Sequence, residues 1–336
     1  MKNERKSSAQ QHKVINRRAF LKTSLKTGAL AGALIGSGTI ASKNLFTTRL
    51  LEINTLEFSI PKLNKRLDGF TLAFLTDPHY SPAMKREWIT TAINQVKKSD
   101  AELLLLGGDY IWIPHSTLSK QLLISRDSEL NNLPDEKLAE LEYHYLFEEI
   151  KKITSDVKTV GVLGNHDRWT DVTLCKDAFK NSNATLLINQ REDFTTQNGG
   201  AVEVYGTDDY WTGIPKKPTY SSSTETLKIL LSHNPDFIAE RCKSSLPDHT
   251  VTLSGHTHGG QICLPIYGPL LYNIQSRSYG YGPVQERNFL HFTSRGMGVV
   301  EIPYRVLCPQ ELVFIRFVRS QSTFSATYVD QTVITL

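Results

Sequence analysis

Phe70-Thr71-Leu72-Ala73-Phe74-Leu75-Thr76-Asp77-Pro78-His79 is a run of apolar, β-favouring residues that stops on a carboxylate and an imidazole. A short apolar run of this kind, bounded by polar and turn-forming residues, reads as a buried strand. Downstream, Trp88, Ile89, Ala92, Ile93 and Val96 recur at three- and four-residue spacing and mark an amphipathic helix. The pattern then repeats. Leu103–Leu106 is a second strand ending at Gly107-Gly108-Asp109, Leu138, Leu141, Tyr145 and Ile150 mark a second helix, and Val157–Leu163 is a third strand ending at Gly164-Asn165-His166-Asp167. The second half reads as strands with fewer helices, at Val202–Tyr205, Leu227–Leu231, Val251–Leu253, Phe289–Thr293 and Leu312–Phe317. A parallel β-α-β start followed by a strand-rich half predicts one α/β domain built on stacked sheets. The segments 112–135 and 207–224 exceed an ordinary connection, and long connections often form lids or binding loops.

Composition narrows the function. The net charge is +4, yet residues 1–26 hold eight Lys/Arg against one Glu, leaving 30 Lys/Arg against 33 Asp/Glu in the rest. A domain of that balance lacks the basic surface that a nucleic-acid partner requires, and nucleic acid is excluded as an expected partner. Cys175, Cys242, Cys263 and Cys308 form no CxxC pair, which argues against a zinc ribbon or a thioredoxin-like motif; buried thiols are the simpler reading.

Candidate ligands stand just past apolar strands, where open α/β sheets place their crevice. Asp77 and His79 are two apart, and Pro78 biases Asp77 toward an extended backbone, from which both side chains would face one ion. Asp109 has two carboxylate oxygens and follows two glycines that allow close approach; Asn165 offers a carbonyl oxygen, and His233, His256 and His258 offer imidazoles. A mixed O and N donor set suits Mn, Fe or Zn rather than Ca. Each residue alone reads equally well as an ordinary turn or strand-end residue. Their order and joint placement carry the functional reading. His115, His144, His249 and His291 fit no motif and are expected to be surface or structural.

The D-x-H at Asp77, the GD at Gly108-Asp109, the GNHD at 164–167, the lone His233 and the GHTH at 255–258 resemble the calcineurin-like metallophosphoesterase family, from about Phe70 to Gln261. The resemblance implies a four-layer α/β/β/α sandwich. It also implies two divalent metal ions, Mn first with Fe or Zn as alternatives. One would be held by Asp77, His79, Asp109 and His258, the other by Asp109, Asn165, His233 and His256. It gives His166 the task of protonating the leaving oxygen or stabilising the phosphorane, and Asp167 that of orienting its imidazole. A metal pair of this kind polarises phosphoryl oxygens and activates water for in-line displacement.

Gly259-Gly260-Gln261, Asn189-Gln190, Gly206-Thr207-Asp208 and Ser294-Arg295-Gly296 make the chain similar to the YaeI/YkuE-like branch. That branch includes the LpxG-type UDP-2,3-diacylglucosamine pyrophosphatase, which implies cleavage of a nucleotide-linked lipid A precursor to lipid X and UMP at a membrane surface. Ile111, Trp112, Ile113, Leu118, Leu122, Leu123 and Ile124 could cover acyl chains as a lid or could simply cover the core. Arg168, Arg277 and Arg295 are candidates to grip a diphosphate, since guanidinium forks match phosphate oxygens. The alternatives are an exported phosphodiesterase of another envelope substrate, or a metal-binding scaffold without activity.

Residues 1–45 read as an address. Arg17-Arg18-Ala19-Phe20-Leu21-Lys22 resembles a twin-arginine signal, and Thr27–Ala41 is a 15-residue apolar run, short of a membrane-spanning helix. The segment is expected either to keep the protein at the inner membrane or to export it, and only the first suits a lipid A precursor made on the cytoplasmic side. The catalytic domain is expected over 50–319, with 320–336 a polar, β-favouring tail without an assigned role.

Overall fold

The computed structural model describes residues 46–114 and 133–336. The expected leader, residues 1–45, and Leu118, Leu122, Leu123 and Ile124 of the expected lid lie outside the described residues.

Strand β1 is Leu50–Pro61, β2 is Thr71–Leu75, β3 is Leu103–Leu106, β4 is Lys158–Val162 and β5 is Thr185–Leu187. With β14 (Gln310–Ser320) and β15 (Ser325–Thr335) they form a seven-stranded sheet of order β15-β1-β14-β2-β3-β4-β5. The second sheet has six strands: β6 (Gln190–Thr195), β7 (Ala201–Gly206), β8 (Leu227–Leu231), β9 (Thr250–Ser254), β12 (Gly282–Gln285) and β13 (Phe289–Thr293), in the order β12-β13-β9-β8-β7-β6. Between β9 and β12 lies a short hairpin, β10 (Cys263–Leu264) with β11 (Gly268–Pro269). The strands that carry the motifs, β2 to β4 and β8 to β9, are parallel within their sheets, so their C-terminal ends come together.

Alternation along the strands builds the layers. Leu72 and Phe74 of β2 and Leu103 and Leu105 of β3 point inward to meet Val204, Ile229, Leu231, Val251 and Leu253 of the second sheet. Ala73, Leu75, Leu104 and Leu106 point the other way, onto helices α1 (Arg86–Lys98) and α2 (Asp135–Lys151) through Ile89, Ile93, Leu146 and Ile150. Beyond the second sheet, Leu230 and Phe289 pack on Phe237, Ile238 and Cys242. The expected α/β/β/α sandwich is thus present, with one apolar core between the sheets and one outside each. Among the described residues no helix is long and apolar enough to cross a membrane. Ile111, Trp112 and Ile113 are buried, so these three cover the core and are no part of a lid. All four cysteines are free; Cys175, Cys242 and Cys308 are buried and Cys263 is partly exposed.

Residues 325–335 form a full edge strand along β1. They are mostly exposed, so backbone pairing rather than apolar burial holds them.

His291, on β13, is a structural histidine. It is fully buried, with Nδ1 2.8 Å from the Thr252 hydroxyl and Nε2 2.6 Å from the Thr293 hydroxyl. Burial pushes its pKa down to about 3. Because the unfolded chain takes up this proton near pH 6.5 while the folded chain refuses it, the stability it contributes is complete above pH 6.5 and is lost as pH falls toward 3. The expected slope is about 1.4 kcal/mol per pH unit. Urea unfolding of wild type and His291→Gln between pH 7 and 4.5 checks this; equal slopes in the two proteins would contradict it.

Candidate metal centre

Asp77 and His79 follow β2, Asp109 follows β3, and Asn165 with His166 opens helix α3 (Asn165–Thr170) after β4. His233 follows β8, and His256 and His258 follow β9. All seven candidate ligands are buried. Three groups of possible ligand atoms converge within 4.8 Å: Asp77, His79 and His258; Asp109, His233 and His256; and His79, Asp109 and His166. The first group holds three of the four residues expected for one ion and the second three of the four expected for the other, and the third brings His166 to the junction between them.

The closest approaches define the centre. Nε2 of His258 lies 3.1 Å from Nε2 of His79 and 3.5 Å from Oδ1 of Asp77. Oδ2 of Asp109 lies 3.4 Å from Nε2 of His79 and 3.1 Å from Nε2 of His233, whose ring stands 3.2 Å from Nδ1 of His256. Asp109 is therefore shared between the two halves. Nδ1 of His233 donates to the Gly107 carbonyl at 2.8 Å, which leaves Nε2 as the nitrogen facing Asp109.

Backbone strain accompanies this convergence. Asp77, His79, Asp109, His256 and His258 all have positive φ, between 40° and 70°. Such conformations cost free energy for residues other than glycine and gather at functional sites. They also correct one expectation. Asp77 and His79 do not share a face of an extended segment, as Pro78 suggested; the chain turns at both, held by Asp77 N–H to the Gly108 carbonyl (3.0 Å) and His79 N–H to the Asp109 carbonyl (3.1 Å). Gly164 is needed for a separate reason: a Cβ there would stand 2.1 Å from Oδ1 of Asp109.

The electrostatics are those of a site built to hold charge. Burial, then the charge of His233, pushes the His256 pKa well below its ordinary value; burial, then His79, does the same to His258, so both are neutral donors. Burial opposes ionisation of Asp109, but His233 and His166 outweigh it and hold the carboxyl well below its usual range. Burial likewise disfavours charge on His233, yet Asp109 raises its pKa to about 10, so Nε2 carries a proton that a cation would displace. The donors present fit a metal pair on an independent observation. Asn165 is fully buried with neither its oxygen nor its nitrogen hydrogen-bonded, a costly arrangement that a cation at the oxygen relieves.

Three residues have structural partners that the sequence did not indicate. Asp167 is engaged by the two loops that carry the centre. Its carboxylate accepts the N–H groups of Asp109 (2.8 Å), Tyr110 (3.0 Å) and Gly164 (2.8 Å) and the Tyr143 hydroxyl (3.0 Å), so it ties the loop after β3 to that after β4. Burial and the nearby Asp109 push its pKa up to about 7 against the pull of these donors. Arg168 is bonded to Asp208 through two parallel bonds of 2.8 and 2.7 Å, and Arg295 to Glu311 and Glu52 while lying over the Tyr281 ring, and neither residue is among those that line the cleft. Arg277 is exposed and outside the cleft lining.

The cleft over the centre has two kinds of wall. Asp109, Asn165, His166, His256 and His258 form the polar floor, whereas Ile262, Leu271, Tyr272, Val300 and Ile302 form a mainly apolar flank interrupted by Gln261, Asn273 and Glu301. Sequence reasoning missed this flank, and it missed Arg305, which is fully buried behind His258 and donates to the carbonyls of Gly298 (2.9 Å) and Arg295 (2.8 Å). Nothing in the local sequence marks Arg305 as buried. Trp211, whose ring meets that of His256 edge-on at 4.2 Å, lay in a segment already conspicuous for its length.

The sequence profile of calcineurin-like phosphoesterases matches residues 70–260, more than half of the chain. The chain belongs to this family. It is a metallophosphoesterase, a hydrolase of phosphoester bonds, and the family uses divalent metals. Among curated relatives, the uncharacterized metallophosphoesterase YkuE of Bacillus subtilis is 28% identical over 89% of this chain and 96% of its own length. Phosphodiesterase YaeI of Escherichia coli is 28% identical over 74% of this chain and 82% of its own. A solved structure, the calcineurin-like phosphoesterase YfkN of B. subtilis, superposes with a TM-score of 0.35 at 12% identity, covering 79% of this chain and 90% of that one. The residues that suggested the YaeI/YkuE-like branch prove to be loop anchors around the centre. Asn189 accepts the N–H groups of Asp208 and Lys216, Asp208 holds Arg168, and the Gln261 amide bonds the carbonyls of Val300 and Ile302.

Proposed function

We propose that this metallophosphoesterase uses two divalent ions, Mn first, to hydrolyse a phosphodiester or pyrophosphate that joins a polar head to an apolar body, with UDP-2,3-diacylglucosamine as the specific candidate. The observation that carries this reading is the cleft itself, in which a carboxylate–histidine floor adjoins the apolar flank of Ile262, Leu271, Tyr272, Val300 and Ile302. An apolar wall beside a charged centre suits a substrate amphipathic on the same scale. Similarity to the phosphodiesterase YaeI supports diester chemistry.

In this reading Asp77, His79, Asp109 and His258 would hold one ion, and Asp109, Asn165, His233 and His256 the other. When bound, the ions supply Lewis-acid polarisation of the phosphoryl oxygens and an activated water. The protein's own groups do the rest. Asp109 sets the spacing of the two halves by sharing one carboxylate between them. His166, whose backbone N–H donates to Oδ1 of Asp109 at 2.7 Å, lines the cleft and in this reading would give a proton to the leaving oxygen. With Arg168 and Arg295 committed elsewhere, no arginine among the described cleft residues is left to grip a diphosphate, so recognition of the phosphates falls to the centre itself.

The test is incubation of the full chain and Mn²⁺ with UDP-2,3-diacylglucosamine, with mass detection of UMP, beside bis-p-nitrophenyl phosphate. Turnover of both is expected. Turnover of the aryl diester without UMP would retire the nucleotide–lipid substrate and keep the diesterase, whereas turnover of neither would return the chain to the scaffold reading.

A further inference from the structure

The most exposed apolar residues of the described chain sit together. Ile266 is fully exposed and Tyr267 is 85% exposed, at the tip of the β10–β11 hairpin. Ile266 has φ +71°, an unfavourable conformation for a β-branched residue, and it is spent on holding that side chain in solvent. A lone exposed apolar residue needs no explanation, but this pair is part of a larger arrangement. The hairpin grows out of the cleft's apolar flank. Ile262 and Leu271 line the cleft at its two feet, and the Leu270 N–H donates to the Ile262 carbonyl at 3.0 Å. Gln261 ties the neighbouring 300–304 loop to the same base, bringing partly exposed Tyr304 alongside.

Two further observations say what covers this tip. From Gly259 to Ser276 the chain carries no charged side chain, so the hairpin can enter an apolar phase without stripping water from an ion. The chain also enters the domain at this rim. Phe46 pairs with Val306, Val306 pairs with Ile262, and the Cys263 N–H donates to the Val306 carbonyl at 2.9 Å. The apolar run Thr27–Ala41, read from composition alone, ends five residues before Phe46, a reach of at most about 18 Å. A bilayer that receives that run therefore lies within reach of the hairpin.

We propose that the Ile266–Tyr267 hairpin tip, with Tyr304 at its base, docks on a lipid bilayer and sets the apolar flank of the cleft against the membrane surface. An isoleucine wedge with tyrosines beside it is the composition that settles at a bilayer interface. The inference rests on the amphipathic-substrate reading for its purpose, but its test needs no turnover.

The probe is the full chain carrying Tyr267→Trp, mixed with phosphatidylethanolamine–phosphatidylglycerol vesicles whose acyl chains are brominated. Emission from position 267 is expected to be quenched, while Ile214→Trp, at an exposed apolar residue of the loop after β7, is not. Adding Ile266→Asp, a residue better suited to positive φ, is expected to reduce the quenching about threefold. Bis-p-nitrophenyl phosphate turnover is expected to be unchanged, because neither residue lines the cleft. Quenching at 267 no greater than in wild type would overturn the proposal. So would a concentration-dependent dimer in sedimentation equilibrium that Ile266→Asp abolishes, since the tip would then be covered by a second copy.

Discussion

Asp109→Asn is expected to lower phosphodiester turnover about a thousandfold and to reduce bound Mn²⁺ from two ions per chain to one or fewer. The carboxylate is shared between the halves of the centre, with Oδ2 3.4 Å from His79 and 3.1 Å from His233 and Oδ1 receiving the His166 N–H at 2.7 Å. An amide presents one acceptor where the site uses two. If its oxygen keeps the His166 N–H, its nitrogen points hydrogens at the position proposed for a cation. If it turns over, a donor meets a donor at His166. The substitution also removes the charge that holds His233 up to about 10, so the buried imidazole loses the reason for its proton as well as its partner. Lewis-acid stabilisation by a metal centre amounts to several kcal/mol, and each 1.4 kcal/mol of lost stabilisation is about tenfold in rate, which sets the scale of the loss. Metal content by mass spectrometry and turnover with saturating Mn²⁺ check the two halves of this expectation separately. Two ions retained at wild-type affinity would remove Asp109 from the bridging role.

The centre was legible because each ligand stands where an apolar strand stops, and strand ends are the most readable punctuation in an α/β sequence. Phe70–Thr76 marks β2 and Leu103–Leu106 marks β3 by composition alone, and the parallel order then carries Asp77 and Asp109 to the same edge. The backbone that presents them was not legible. Pro78 argued for an extended Asp77, but tertiary contacts from Gly108, Gly296 and Gly298 hold the residue at φ +49° against that local bias. The carboxylate partners of the arginines were hidden for a related reason. Arg168 and Arg295 have the right chemistry for phosphate, yet their partners Asp208, Glu52 and Glu311 lie between 16 and 243 residues away, beyond any local pattern. Strand β15 was legible only as a β-favouring tail, because its side chains are mostly exposed and give no apolar stripe to read, and its pairing with β1 is a matter of backbone alone.

Asp167→Ala is expected to destabilise the fold by about 4 kcal/mol or more and to release metal, rather than to slow a correctly assembled enzyme. The two outcomes separate the roles that a carboxylate beside a catalytic histidine can take. A side chain that only oriented His166 would, when removed, leave the urea midpoint in place and lower kcat. The observed carboxylate instead receives three backbone N–H groups and the Tyr143 hydroxyl in a site closed to solvent, and alanine strands all four donors. Each unsatisfied buried donor costs about 1–3 kcal/mol, and relaxation of the loops recovers part of the total. Asp167→Asn is expected to be intermediate, because one oxygen still accepts while the amide nitrogen opposes the donors on its side. Two of those donors are the N–H groups of Asp109 and Gly164, so the loss reaches the centre through the loops that present Asp109 and Asn165. Mn²⁺ affinity should therefore fall together with the urea midpoint at an unchanged denaturant slope. A wild-type midpoint in both variants, with turnover lost, would give Asp167 the orienting role and place the His166–Asp167 pair in the chemistry.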